Sequence, residues 1–128
     1  MKRNFTLWLF VSLLSALPVA AQTLRVTAGV ITSGIVERAP IDAIEAFNTS
    51  IDTLYCFTRI EGAEEETFIS HTWIYNGSEV SRSELPVRSS YWRTWSSKSI
   101  APEAIGDWQV EIHDAQGALL KTITFTLN

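Results

Sequence analysis

The run Phe68–Tyr75, followed directly by Asn76-Gly77, limits the fold more than any other stretch of this chain. Phe-Ile-Ser-His-Thr-Trp-Ile-Tyr is dense in β-branched and aromatic side chains, which suit a pleated, half-buried surface. Asn-Gly then supplies two residues that accept positive φ, as a two-residue type I′ hairpin requires. The pattern predicts a central strand carrying Trp73 and a return strand beginning near Ser78.

The remaining candidate strands arrange themselves around this hairpin. Leu24–Ile31 alternates, with Leu24, Val26, Ala28 and Val30 on one face and Arg25 and Thr27 on the other, as a half-buried strand does. Ile35–Arg38 reads as a short continuation ended by Pro40, which cannot donate to a ladder. Ile41–Phe47 has helical spacing over one or two turns only. That is too short for a helix without packing, so it reads as irregular. Leu54–Ile60 is apolar on both faces, as expected of an interior strand. Gly62–Glu66 is an acidic turn. Ser78–Val87 contains Pro86 and reads as an edge strand. Tyr91–Ile100 is a strand with a polar end, and Ala101–Gly106 is a loop. Asp107–His113 places Trp108, Val110 and Ile112 inward, and Asp114–Gly117 is a hairpin loop with glycine where positive φ is needed. Ala118–Leu127 closes the chain with Ile123, Phe125 and Leu127 inward.

About seven strands with regular turns and no long helical segment predict an all-β, immunoglobulin-like antiparallel sandwich. The predicted core is Val26, Cys56, Trp73, Trp108, Val110, Ile112, Ile123 and Phe125.

The N-terminus reads differently. Lys2 and Arg3 precede an apolar run from Phe5 to Leu17, and Pro18-Val19-Ala20-Ala21 puts small residues before a cut at Gln22. This is the pattern of a secretory signal peptide over residues 1–21, with an uncleaved anchor as the alternative. The run is shorter than the about 20 residues of a membrane span. Membrane contact is therefore expected only transiently, through the signal peptide, and the product is expected to be periplasmic or secreted. Removing 21 of 128 residues leaves one domain, 22–128, and removing Lys2 and Arg3 takes the formal net charge from −4 to −6. Such acidity disfavours nucleic acid and anionic membranes as partners. A single cysteine, Cys56, excludes an internal disulfide, so apolar burial must hold the fold.

Read together, Gly34–Pro40, Leu54-Tyr-Cys-Phe-Thr58, His71-Thr-Trp73, Trp92–Lys98, Gly106-Asp-Trp108 and Asp114–Gly117 resemble, in this order, the bacterial family DUF2914, a domain of unknown function. The resemblance covers nearly all of residues 22–128. It implies a small, mostly β, exported or membrane-associated bacterial domain, and it brings no activity, cofactor or catalytic residue.

The residues offer three candidate chemistries. Tyr91-Trp92-Arg93-Thr94-Trp95, with Arg88 and Lys98 nearby, places Tyr91, Arg93 and Trp95 on one strand face and Trp92 and Thr94 on the other. Tyr91, Trp92, Arg93, Trp95 and Lys98 are the candidate ligand-binding set, for a sugar ring or a protein partner. The competing reading packs both tryptophans, with Arg93 covering them by its aliphatic stem. His71 shares a face with Ile69, Trp73 and Tyr75 and reads as a structural histidine. The rival is a general base or metal ligand, possessing no converging ligands in the sequence. Cys56 paired with His71 as a nucleophile competes with Cys56 as core filling. His113 is expected to be exposed, and Glu64-Glu65-Glu66 to be a solvated turn rather than a calcium site. The expectation is therefore a non-catalytic exported interaction module, without metal or cofactor, for an envelope protein or a glycan. A carbohydrate- or cell-wall-binding module is the alternative, and an enzyme centred on His71 and Cys56 a more distant one.

Overall fold

The computed structural model describes residues 23–128, so the signal-peptide reading over residues 1–21 lies outside them. The described residues form ten strands in chain order: β1 (Arg25–Thr32), β2 (Ile35–Val36), β3 (Ala39–Pro40), β4 (Ala46–Phe47), β5 (Thr53–Glu61), β6 (Thr67–Tyr75), β7 (Ser78–Val87), β8 (Tyr91–Ser99), β9 (Gly106–Asp114) and β10 (Leu119–Leu127). Seven are long and three have two residues. The long ones are those that alternation and turn chemistry predict. No helix occurs among the described residues.

Two sheets make the sandwich. One has the order β1-β5-β8 and the other β4-β10-β9-β6-β7, and β2 and β3 form a separate small hairpin. All pairings between long strands are antiparallel, whereas β4 joins β10 in parallel. β5 is an interior strand and β7 an edge, as their sequences indicate. The Asn76-Gly77 turn has φ of 47° and 84°, the left-handed pair that a type I′ hairpin demands.

The interior between the sheets holds two apolar clusters. One gathers Ile31, Leu54, Cys56, Trp73, Trp108, Val110, Phe125 and Leu127 around Phe47; the other gathers Leu24, Ile60, Ile69, Val87 and Ile112. Phe125 is the hub of the aromatic packing. It meets Phe47 and Trp73 edge-on, with centroids 6.3 and 6.1 Å apart, and stacks on Trp108 at 5.7 Å; Trp108 in turn stacks on Tyr75 at 4.8 Å. Offset and edge-on geometries are those the ring quadrupole favours.

Four expectations need correction. Val26 and Ile123, predicted as core, are half-buried and pack on the periphery of the clusters. The alternation of β1 is not continuous: a bulge between Val26 and Ala28 reverses its faces, so Ile31 rather than Val30 enters the core. A bulge adds one residue to a strand and so changes which side chains point inward. Pro40 does not merely end a strand but pairs with Ile35 in the small hairpin. His113, predicted as exposed, is half-buried, with Nε2 3.4 Å from Glu111 Oε2.

Candidate ligand-binding cleft

β8 is an outer strand of its sheet and, among the described residues, pairs only with β5. Its alternation sends Trp92, Thr94 and Ser96 toward the interior and Tyr91, Arg93 and Trp95 to the outer face. Trp92 packs against the second apolar cluster and Ser96 is buried. On the outer face Trp95 lies opposite Phe57 and Arg93 opposite Arg59. Tyr91 is 51% exposed, with the Arg59 guanidinium 5.9 Å from its ring centroid.

Beside this strand lies an open cleft of about 350 Å³, lined by Trp92, Arg93, Thr94 and Trp95, by Arg38, and by Pro86 and Arg88 at the end of β7. Arg38 arrives from the β2–β3 hairpin. Its guanidinium lies 5.7 Å from the Trp92 ring centroid, and Nη2 donates a long hydrogen bond, 3.4 Å, to the Arg93 carbonyl. The turn that delivers it is strained: Glu37 and Arg38 have φ of 52° and 62°, a region disfavoured for residues with a Cβ. Asp42 anchors the hairpin's other side, accepting from Thr32 Oγ1 at 2.7 Å, from Ser33 N–H at 2.8 Å and from Ser33 Oγ. Burial raises the Asp42 pKa, but these hydrogen bonds outweigh it and hold the carboxyl below its ordinary value. Arg88 Nε lies 3.7 Å from Glu66 Oε1, with both side chains mostly exposed.

The predicted set is thus divided. Trp92, Arg93 and Trp95 share the cleft. Lys98 does not: it lines a separate opening of about 300 Å³ with Tyr75, Val80 and Glu103, and its Nζ donates to the Ser99 carbonyl at 3.1 Å. Six residues of strand separate Lys98 from Trp92, about 20 Å of rise, which is why one cleft does not hold both. Tyr91 is not among the lining residues. Arg38 is the addition that sequence reasoning missed, because nothing local marks a residue 55 positions before Arg93 as its neighbour.

His71 is fully buried between the sheets. Its Nε2 lies 3.1 Å from Thr58 Oγ1 and its Nδ1 2.7 Å from Ser96 Oγ. Thr58 Oγ1 donates to the Thr94 carbonyl at 3.1 Å, and Trp73 Nε1 donates to Ser96 Oγ at 3.1 Å. These partners assign the tautomer. Thr58 has only one hydrogen and gives it to Thr94, so it must accept from His71 Nε2–H. Ser96 accepts from Trp73 and donates to His71 Nδ1. The chain runs in one direction, and each hydroxyl both donates and accepts. A charged ring breaks it, because Nδ1–H then points its proton at a hydroxyl whose own hydrogen loses its acceptor. Burial lowers the His71 pKa to about 4.

Cys56 is fully buried in the first cluster, and burial pushes its thiol pKa far up. Its sulfur makes no hydrogen bond to His71, whose two ring nitrogens are both engaged elsewhere. Glu64, Glu65 and Glu66 are exposed, and no group of three or more His, Cys, Asp or Glu suited to a metal ion occurs among the described residues.

A larger concavity, about 650 Å³, lies on the outer face of the five-stranded sheet, over Ile74, Gln109, Thr124 and Thr126, with Glu45 and Asp107 at its margin. The aromatic rings beneath it, Trp108 and Phe125, are buried on the opposite side of the sheet. Its lining includes Glu45 and Asp107 but no Lys or Arg, whereas the smaller cleft is lined by three arginines, so the smaller cleft is the more cationic of the two.

No curated protein matches the chain. The profile of the family described as "Protein of unknown function (DUF2914)" matches residues 66–127. The matched segment begins just before β6 and ends with β10, so it contains Arg88, Trp92, Arg93 and Trp95, while Arg38 lies outside it. Over residues 66–127 the chain is similar to the DUF2914 family.

Proposed function

We propose that this protein is a non-catalytic exported binding module that holds its ligand in the cleft beside β8. The observation that carries this reading is the convergence of Trp92, Arg93 and Trp95 with Arg38 and Arg88 around one concavity. Rings and guanidinium groups together supply what recognition sites use most, large rigid apolar area and directed charge. The non-catalytic part rests on the position of the two reactive side chains. His71 and Cys56 are both sealed from solvent, and a nucleophile must reach its substrate. Export to the periplasm or beyond rests on the sequence of residues 1–21.

The partner is an envelope protein or a glycan, and the concave, small form of the cleft favours the glycan. A protein partner has a second route through β7, whose outer edge is unpaired among the described residues and invites strand addition. Glu79, Arg82 and Glu84 on β7 discourage indiscriminate pairing there. We also infer an immunoglobulin-like arrangement. The order β1-β5-β8 facing β7-β6-β9-β10 corresponds to an A-B-E sheet facing C′-C-F-G, with Trp73 and Cys56 in one cluster.

The test is a pull-down on immobilised peptidoglycan and other envelope glycans with wild type and Arg93→Ala, both checked for folding by near-UV circular dichroism. Retention that is lost in the folded variant supports the cleft. Equal retention of both proteins removes it from the site.

A further inference from the structure

We infer that the cleft recognises an acidic sugar and that Arg38 and Arg93 hold its carboxylate. This deepens the glycan reading above and rests on it.

Three of the chain's ten basic residues, Arg38, Arg88 and Arg93, line one cavity of about 350 Å³ in a chain of net charge −4. Among the described residues one acid, Glu66, forms an ion pair with any of the three. Arg88 has Glu66 at 3.7 Å, a loose and exposed pair. Arg38 makes one long hydrogen bond to a carbonyl and lies over Trp92. The Arg93 guanidinium has no hydrogen bond or ion pair among the described residues. Of the three, only the Arg93 guanidinium has no protein acceptor among the described residues, and the ligand group that suits a cleft bordered by three arginines is an oxyanion.

Guanidinium forks match a carboxylate in two parallel bonds. Trp95 shares the outer face with Arg93, and Trp92, which packs inward, borders the cleft beneath Arg38. A cavity of this size lies at the lower end of small-molecule sites, which suits one or two sugar rings rather than an extended polymer surface. A nucleic acid is disfavoured by the overall charge. The hairpin adds a separate observation. Two consecutive non-glycine residues, Glu37 and Arg38, are held in the left-handed region, and the contacts this secures for Arg38 are one weak bond and one ring face. The two-residue turn between β2 and β3 requires this pair of conformations, and without Gly or Asn there it carries strain of the kind that clusters at ligand sites.

The experiment is an NMR titration of the ¹⁵N-labelled protein with tetragalacturonate, with its fully methyl-esterified form, and with inorganic phosphate. Binding of the acid is expected to shift the Trp92 and Trp95 indole N–H and the Arg38 and Arg93 Nε–H signals. The ester is expected to bind at least tenfold more weakly. Arg38→Gln and Arg93→Gln, confirmed as folded by unchanged dispersion elsewhere, are each expected to lose about tenfold in affinity, and Arg82→Gln, on β7 outside the cleft, to lose nothing. If acid and ester bind alike at the cleft, the glycan reading survives and the carboxylate assignment falls. If neither moves the Trp92 and Trp95 signals, both fall. If phosphate occupies the cleft and the oligosaccharide does not, the sugar is refuted.

Discussion

Acidification tests the buried histidine relay directly. An ordinary histidine titrates at 6.5, and burial lowers His71 to about 4. Above pH 7 both the folded and the unfolded ring are neutral, so His71 adds no pH dependence. Between 6.5 and 4 the unfolded chain takes up a proton that the folded chain refuses. Stability therefore falls as pH falls, by at most about 1.4 kcal/mol per pH unit. Below about 4 the folded ring also protonates and the loss levels off. Across the whole window the loss comes to about 3 kcal/mol, a large part of the roughly 5–15 kcal/mol that holds a domain of this size together. Thr58, Ser96 and Trp73, the groups bonded within the relay, do not ionise in this range. The assay is urea unfolding followed by tryptophan fluorescence at pH 7.5, 6.5, 5.5 and 4.5, on wild type and His71→Gln. The amide keeps a donor and an acceptor but has no titration. Its stability is expected to be lower at pH 7.5 and to fall less steeply, because the His71 contribution is absent. If the two proteins lose the same free energy between pH 7.5 and 4.5, His71 is not a neutral, sealed group and the relay is wrong. Long-range ¹H–¹⁵N spectra give an independent reading, since they are expected to place the proton on Nε2.

Three substitutions probe the turns of the frame and the core. Gly62 has φ of 99°, and a Cβ there runs into the backbone carbonyl of Thr23; Gly62→Ala is expected to cost roughly 2–4 kcal/mol in urea unfolding. Gly77→Ala, with φ of 84° and open space around it, is expected to cost only the backbone strain, about 1–2 kcal/mol, and equal losses at the two sites would refute the close approach at Gly62. Phe125→Ala removes the ring on which Phe47, Trp73 and Trp108 converge. It is expected to cost roughly 3–5 kcal/mol, and a loss below about 1 kcal/mol would remove Phe125 from the centre of the core.

The turn at Asn76-Gly77, the interior character of β5, the edge position of β7 and the inward set Trp73, Trp108, Val110, Ile112 and Phe125 were legible before any coordinates. Each depends on period-two alternation or on a residue that tolerates positive φ, and both are local properties of the chain. The inward placement of His71 was legible for the same reason, since its face was known from Trp73 two residues on. Its relay was not, because Thr58, Thr94 and Ser96 come from two other strands. The bulge in β1 left no mark in composition, and it alone decides that Ile31 replaces Val30 inside. Of the five residues expected to bind together, three share a cleft and Lys98 does not, because strand rise carries it away. Arg38 joins them only because a strained hairpin lies alongside β8. Alternation along a strand is written into neighbouring residues, and so the sequence alone determined which faces are apolar. Which strands meet, and which side chains converge across the gap between them, is set by contacts between residues far apart in the chain, and only the folded molecule decided it.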